Sequence, residues 1–84
     1  MTILWREGVD ARRVGFAVSR QVRRAVERNR VRRRLREAYR VTRQAAPARG
    51  ALMVIGKPSA LSEPFKTLTS EMRGALAAIP RARA

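Results

Sequence analysis

The segment Arg20–Ala46, RQVRRAVERNRVRRRLREAYRVTRQAA, holds neither glycine nor proline and invites reading as one long helix. Its apolar phase argues for two pieces. At 100° per residue, Val22, Ala25 and Val26 cluster in one direction, while Val31, Leu35, Ala38, Tyr39 and Thr42 form a second stripe about 150° away. One straight helix cannot bury both against one surface. The phase therefore predicts a break near Glu27–Asn29, with Asn29 as N-cap and a main helix over about 30–44, ending before Pro47.

Working outward, Arg13–Ser19 (RVGFAVS) alternates, with Val14, Phe16 and Val18 on one face and Gly15, Ala17 and Ser19 on the other. The first face requires a core. The second is small enough for another chain to approach closely. Ahead of it, Thr2–Glu7 (TILWRE) reads as a short strand and Gly8-Val9-Asp10-Ala11 as a turn. Beyond the helix, Ala51–Ile55 (ALMVI) is an apolar strand closed by Gly56-Lys57-Pro58. Ser62-Glu63-Pro64 then starts a helix over about 63–79, capped by a hydroxyl or carboxylate with Pro in its first turn. Phe65, Leu68, Met72, Ala75, Leu76 and Ile79 form its buried face, Gly74 weakens it, and Pro80 ends it before a frayed tail. Strands at about 2–7, 13–19 and 51–55 with these two helices make one domain over residues 1–84. Its class is α+β, a two-layer α/β sandwich with helices on one face of a small sheet.

Charge narrows the function. Lys and Arg total 20 against 6 Asp and Glu, a net +14, and all but Lys57 and Lys66 of the basic residues are arginine. Relative to Val31, Arg32, Arg33, Arg36, Arg40 and Arg43 fall between about 100° and 200° on the main helix, beside the apolar stripe. Glu37 reads as the i,i+4 partner of Arg33. A merely solvated face mixes both signs; this one does not, so it binds a polyanion. The stripe is needed as core, which argues against a membrane-surface helix. No helix-turn-helix spacing is present, which leaves structured RNA, read by shape and phosphate.

Composition excludes most chemistry. Without cysteine or histidine there is no disulfide framework, no thiolate or imidazole metal site, and no Cys- or His-based dyad or triad. Glu7, Asp10, Glu27, Glu37, Glu63 and Glu71 are scattered, so neither a protein-borne two-metal site nor any other catalytic set is expected. No apolar run reaches membrane-spanning length and no signal segment opens the chain, so a cytoplasmic protein is expected.

Two motifs carry a resemblance. Arg28–Glu37 (RNRVRRRLRE), preceded by Ala25-Val26, resembles the signature helix of the protein subunit of bacterial ribonuclease P. Arg13–Arg20 (RVGFAVSR) resembles that family's other signature at the matching spacing, and Lys57-Pro58 resembles its basic-Pro strand end. The resemblance implies a fold like the second domain of ribosomal protein S5, with a left-handed β-α-β crossover. It implies a non-catalytic protein subunit of an endoribonuclease whose RNA holds the active site and the magnesium ions and matures the 5′ end of tRNA. Its partners would be ribonuclease P RNA, at 1:1, and precursor tRNA, with no membrane. Carried over by position, Arg28, Asn29, Arg30, Arg32, Arg33 and Arg36 would contact the RNA. Arg13, Gly15, Ala17 and Ser19 would face the 5′ leader, with Arg20 and Lys57 on its phosphates. A general structured-RNA-binding protein, of ribosomal or chaperone type, is the alternative.

Three departures stand against the family pattern. The chain begins at the first strand, where the family has an N-terminal helix carrying aromatics for the leader groove, so a truncated member is expected. Arg23 stands where glycine is usual and would be strained at positive φ. Arg49-Gly50-Ala51 lacks the usual acidic residue entering the third strand.

Overall fold

A computed structural model describes residues 1–6, 12–47 and 50–79. Strands β1 (Thr2–Arg6), β2 (Arg12–Val18) and β3 (Gly50–Gly56) form one mixed sheet in the order β1-β3-β2. The apolar β3 takes the centre. β1 pairs antiparallel to it, with Leu4 opposite Met53, and β2 parallel, with Gly15 opposite Met53. The parallel pair requires a crossover, and helix α1 (Ala25–Thr42) supplies it. Helix α2 (Phe65–Ala77) follows β3, and short 3₁₀ turns occupy Arg43–Ala45 and Pro58–Leu61. The expected α+β architecture is the one observed. Glu7, the Gly8–Ala11 turn, Arg49 and the tail from Pro80 lie outside the described residues.

Alternation decides the faces. The register places Ile3 and Trp5 of β1, Leu52 and Val54 of β3, and Val14, Phe16 and Val18 of β2 on one side of the sheet. There Val18, Leu52 and Val54 join Val31, Leu35, Ala38, Leu68, Met72 and Leu76 in the core, with Ile3, Trp5, Val14 and Phe16 partly buried against it. Phe16 meets Tyr39 edge-on at 5.8 Å, fixing α1 over β2. Over β3 the approach is closer: an ideal Cβ on Gly56 would lie 2.4 Å from Val31 Cγ1. At the other strand end Gly50 has φ 125° and its bare Cα lies under Trp5, an arrangement that only glycine adopts without strain.

Several boundaries differ from expectation. α1 begins at Ala25 and runs unbroken through Glu27–Asn29, where neither glycine nor proline stands and Asn29 costs too little to break the helix. The two apolar stripes are reconciled three to five residues earlier, at Arg24. Arg24 is extended, which separates Val22 from the helix. Val22 is buried in the preceding turn, and Val26 is left 80% exposed. Asn29 is therefore interior to the helix and caps nothing. Arg24 is the N-cap, without a side-chain cap. The last predicted turn, to Gln44, tightens into the 3₁₀ turn, while Thr42 Oγ1 donates back to Ala38 O at 2.7 Å. α2 starts at Phe65 with Pro64 as N-cap, one residue outside the first turn, and no side chain caps it. Leu68, Met72 and Leu76 are its buried residues, while Phe65 is 38% exposed at the helix start. Arg23 carries no strain, since no described non-glycine residue has positive φ.

Candidate nucleic-acid interface

Burying Val31, Leu35, Ala38 and Thr42 fixes how α1 is rotated, and the rotation fixes where its arginines go. Asn29, Arg33, Arg36 and Arg43 are exposed and Arg32 half-buried. All five lie within about 100° of one another around the helix axis. Asn29 accepts from Arg32 Nη1 at 3.3 Å, tying two members of this face together. Arg30 is exposed about 60° beyond it, on the flank.

Three residues of the arginine run are used otherwise. Arg34 turns to the far side and donates to the backbone carbonyl of Glu63, joining α1 to the start of α2. Glu37 pairs with Arg40 rather than with Arg33: Arg40 Nε donates to its carboxylate at 3.1 and 3.2 Å. That hydrogen bond, with the arginine's charge, holds the Glu37 carboxyl below its usual range and raises Arg40. The pair takes Arg40 partly out of the cationic face. Arg28 points inward: Nη1 donates to Val22 O at 2.8 Å and Ser19 O at 3.1 Å, and Nη2 to Val18 O at 3.2 Å.

The sheet side opposite the helices carries Arg13, Gly15 and Ala17 of β2, Ala51, Met53 and Ile55 of β3, and Thr2, Leu4 and Arg6 of β1. Here Leu4 is 54% and Met53 40% exposed. A Cβ on Gly15 would lie 2.9 Å from Met53 Cε, so the thioether lies across the bare glycine. Leu4, Arg6, Arg13, Gly15, Ala51 and Met53 line a shallow concavity of about 340 Å³. Among the described residues the small side of β2 is therefore on the sheet face that the helices leave open, together with Arg13.

Sequence reading missed Leu4, Arg6 and Met53. Alternation in TILWR separates Leu4 and Arg6 from Ile3 and Trp5, but only the pairing order brings them beside Gly15 and Arg13. Ser19 lies past the end of β2, at the corner. Its N–H donates to Gly56 O at 2.8 Å and its Oγ accepts from the Gln21 N–H at 3.3 Å. Arg20 and Lys57 are exposed at that same end of the sheet. Among the described residues no three Asp or Glu side chains cluster as a metal site would require, and no helix is long and apolar enough to cross a membrane.

Comparison with known proteins agrees with this geometry. The chain is 42% identical over 74 residues to the ribonuclease P protein component of Gluconacetobacter diazotrophicus, covering 87% of this chain and 64% of that protein. It is 42% identical over 71 residues to the corresponding component of Thermobifida fusca, covering 84% and 48%. The chain thus spans about half to two thirds of the length of these curated relatives. Among solved structures, the ribonuclease P protein of Thermotoga maritima superposes with a TM-score of 0.77 at 25% identity, covering 93% of this chain and 76% of that one. The Staphylococcus aureus protein shares the fold, with a TM-score of 0.69 at 22% identity over 88% and 69% of the two chains. The ribonuclease P family model matches residues 1–80, and the chain belongs to that family.

Proposed function

We propose that this chain is the protein subunit of a ribonuclease P, assisting RNA-catalysed 5′ maturation of tRNA in the cytoplasm. It binds the catalytic RNA one to one through α1, with Asn29, Arg32, Arg33 and Arg36 on the phosphates and Arg30 on the flank. The 5′ leader of precursor tRNA lies across the uncovered sheet face, over Gly15, Ala17 and Met53, with Arg13 and Arg6 beside it. Arg20 and Lys57 take phosphates at the strand ends. Magnesium belongs to the RNA in this scheme, since the described carboxylates are dispersed and Glu37 is engaged by Arg40. The protein's own residues bind and orient; the RNA supplies the chemistry.

One observation carries the reading: a contiguous arginine face on α1 and an open, small-residue sheet face on β2 meet at one hydrogen-bonded corner. Arginine's fork suits phosphate, and bare strand positions let a single-stranded chain approach the backbone. The deciding experiment adds the purified protein to a catalytic ribonuclease P RNA and precursor tRNA at low magnesium. Stimulated cleavage at the mature 5′ end is the expected result. Binding without stimulation would reduce the protein to a general RNA binder, and cleavage by the protein alone would overturn its non-catalytic role.

A further inference from the structure

We propose that Arg28, the first arginine of the Arg-Asn-Arg triplet, is a positioning residue that clamps the β2–α1 corner from within instead of contacting RNA. The inference rests on the functional reading above but differs from the role its motif implies. A guanidinium has five N–H donors. Arg28 commits both hydrogens of Nη1, to Val22 O and Ser19 O, and one of Nη2, to Val18 O, at 2.8–3.2 Å. Its side chain is half-buried, whereas Arg30, Arg33 and Arg36 are exposed. Three of the five donors are therefore already turned to the backbone, and the fork formed by the two Nη groups is spent on it.

What the clamp holds matters for the interface. Ser19 N–H continues the β2–β3 pairing to Gly56 O, and Val22 N–H closes the corner on Ser19 O at 3.1 Å. Val22 is buried beneath it. Arg28 joins this corner to the first turns of α1, so it ties the helix's rotation to the end of the sheet. Arg20 and Lys57 project from that end, and Asn29 and Arg32 from the helix just beyond. Their spacing depends on a corner that contains no covalent constraint. Hydrogen bonds from a charged donor are the strong ones, and three from one planar group impose direction as well as distance. Lysine would keep the charge yet lose the fork, because its three donors radiate from one point.

The test uses the whole chain. In the free protein, nuclear magnetic resonance of the arginine Nη groups should show rotation about Cζ–Nε slowed for Arg28 relative to Arg33 and Arg36. Averaging as fast as theirs would overturn the clamp. Binding to ribonuclease P RNA is then measured across a salt series at a temperature where circular dichroism shows each variant folded. Arg28→Ala and Arg28→Lys should both weaken binding about tenfold, as a smaller fraction of molecules holds the competent corner. Both should keep the wild-type log–log salt slope, whereas Arg33→Ala should lower it by about 0.7–0.9. A matching loss of slope in Arg28→Ala, or full rescue by Arg28→Lys, would overturn the proposal. If the wild-type protein fails to bind the RNA, the functional reading falls, while the resonance measurement still decides the clamp. An Arg28→Ala chain that does not fold leaves the decision to Arg28→Lys and the same measurement.

Discussion

Adding one methyl group at each of three glycines tests the packing that sets the arginine face. At Gly56 the new Cβ would lie 2.4 Å from Val31 Cγ1 and 2.8 Å from Leu35 Cδ1. Carbon atoms settle at about 3.5–4.0 Å, so α1 must lift by roughly 1 Å or its side chains must leave their rotamers. Val31 and Leu35 are both 0% exposed, so neither can swing out into solvent without leaving the core. Overpacking of this kind costs about 1–3 kcal/mol, which is large against the roughly 4–13 kcal/mol available to a domain of this size. At about 4–8 °C per kcal/mol, a 2 kcal/mol cost lowers Tm by about 8–16 °C. Gly74 gives the opposite sign. Beyond the backbone of its own turn and its chain neighbours no described atom lies within 4 Å of its added Cβ, and alanine is the better helix former by about 0.8–1 kcal/mol, so Gly74→Ala should raise Tm by about 4–8 °C. At Gly15 the obstacle is the exposed, flexible tip of Met53 at 2.9 Å, so Gly15→Ala should stay within about 0.5 kcal/mol of wild type. Thermal unfolding followed by far-ultraviolet circular dichroism gives the order Gly74→Ala, then wild type with Gly15→Ala, then Gly56→Ala. A Gly56→Ala protein as stable as wild type would refute the close approach of α1 to β3.

Other consequences concern the charges. Replacing Arg32, Arg33 and Arg36 together with alanine should flatten the salt slope of RNA binding by about 2–3, and an unchanged slope would place the RNA elsewhere. Glu37→Gln frees Arg40, so RNA affinity should rise and the slope steepen by up to about 0.9; weaker binding would contradict the arrangement. Glu37 titrates below the usual carboxylate range because of Arg40, so its pairing is fully present above that range and is lost as pH falls through its depressed value. A carbon-detected titration should show that midpoint return upward in Arg40→Ala, with no change near neutral pH. Among the described residues Tyr39 Oη is buried without a hydrogen-bond partner, so Tyr39→Phe should keep the ring contact with Phe16 and raise stability by about 1 kcal/mol, read as a higher Tm.

The glycines and the corner also set how a small sheet and its first helix present two separate faces. Among the described residues the helices cover one side of the sheet and leave the other open, and the arginine face projects from α1 where it is anchored over β2 by Phe16 and Tyr39. β2 thus lies next to both surfaces. A change at its end, at Val18 or Ser19, reaches the open sheet face through the strand and the arginine face through Arg28.

Much of this was legible in residue order. The alternation of Val14, Phe16 and Val18 against Gly15 and Ala17 depends on a two-residue repeat that any strand obeys, and the faces came out as read. The rotation of α1 followed from Val31, Leu35, Ala38 and Thr42, since an apolar stripe has one low-energy way to meet a core. The charge imbalance of +14 pointed to a polyanion without any structure.

Partner choice among side chains was not legible. Glu37 has Arg33 four residues before it and Arg40 three after, both within reach on a helix, and the conformer that forms selects Arg40. The helix start was misread because periodicity assumes that every valine seeks the core, whereas Val26 is left in solvent and Val22 alone is buried. Arg28 looks like its arginine neighbours in the chain. Only the fold brings the carbonyls of Val18, Ser19 and Val22 together around its guanidinium, six to ten residues away. Leu4 and Met53 meet because β3 inserts between β1 and β2. Local periodicity thus determined which face each residue takes, since it depends on backbone geometry alone. Which residues meet across elements depended on long-range pairing, and that the tertiary structure decided.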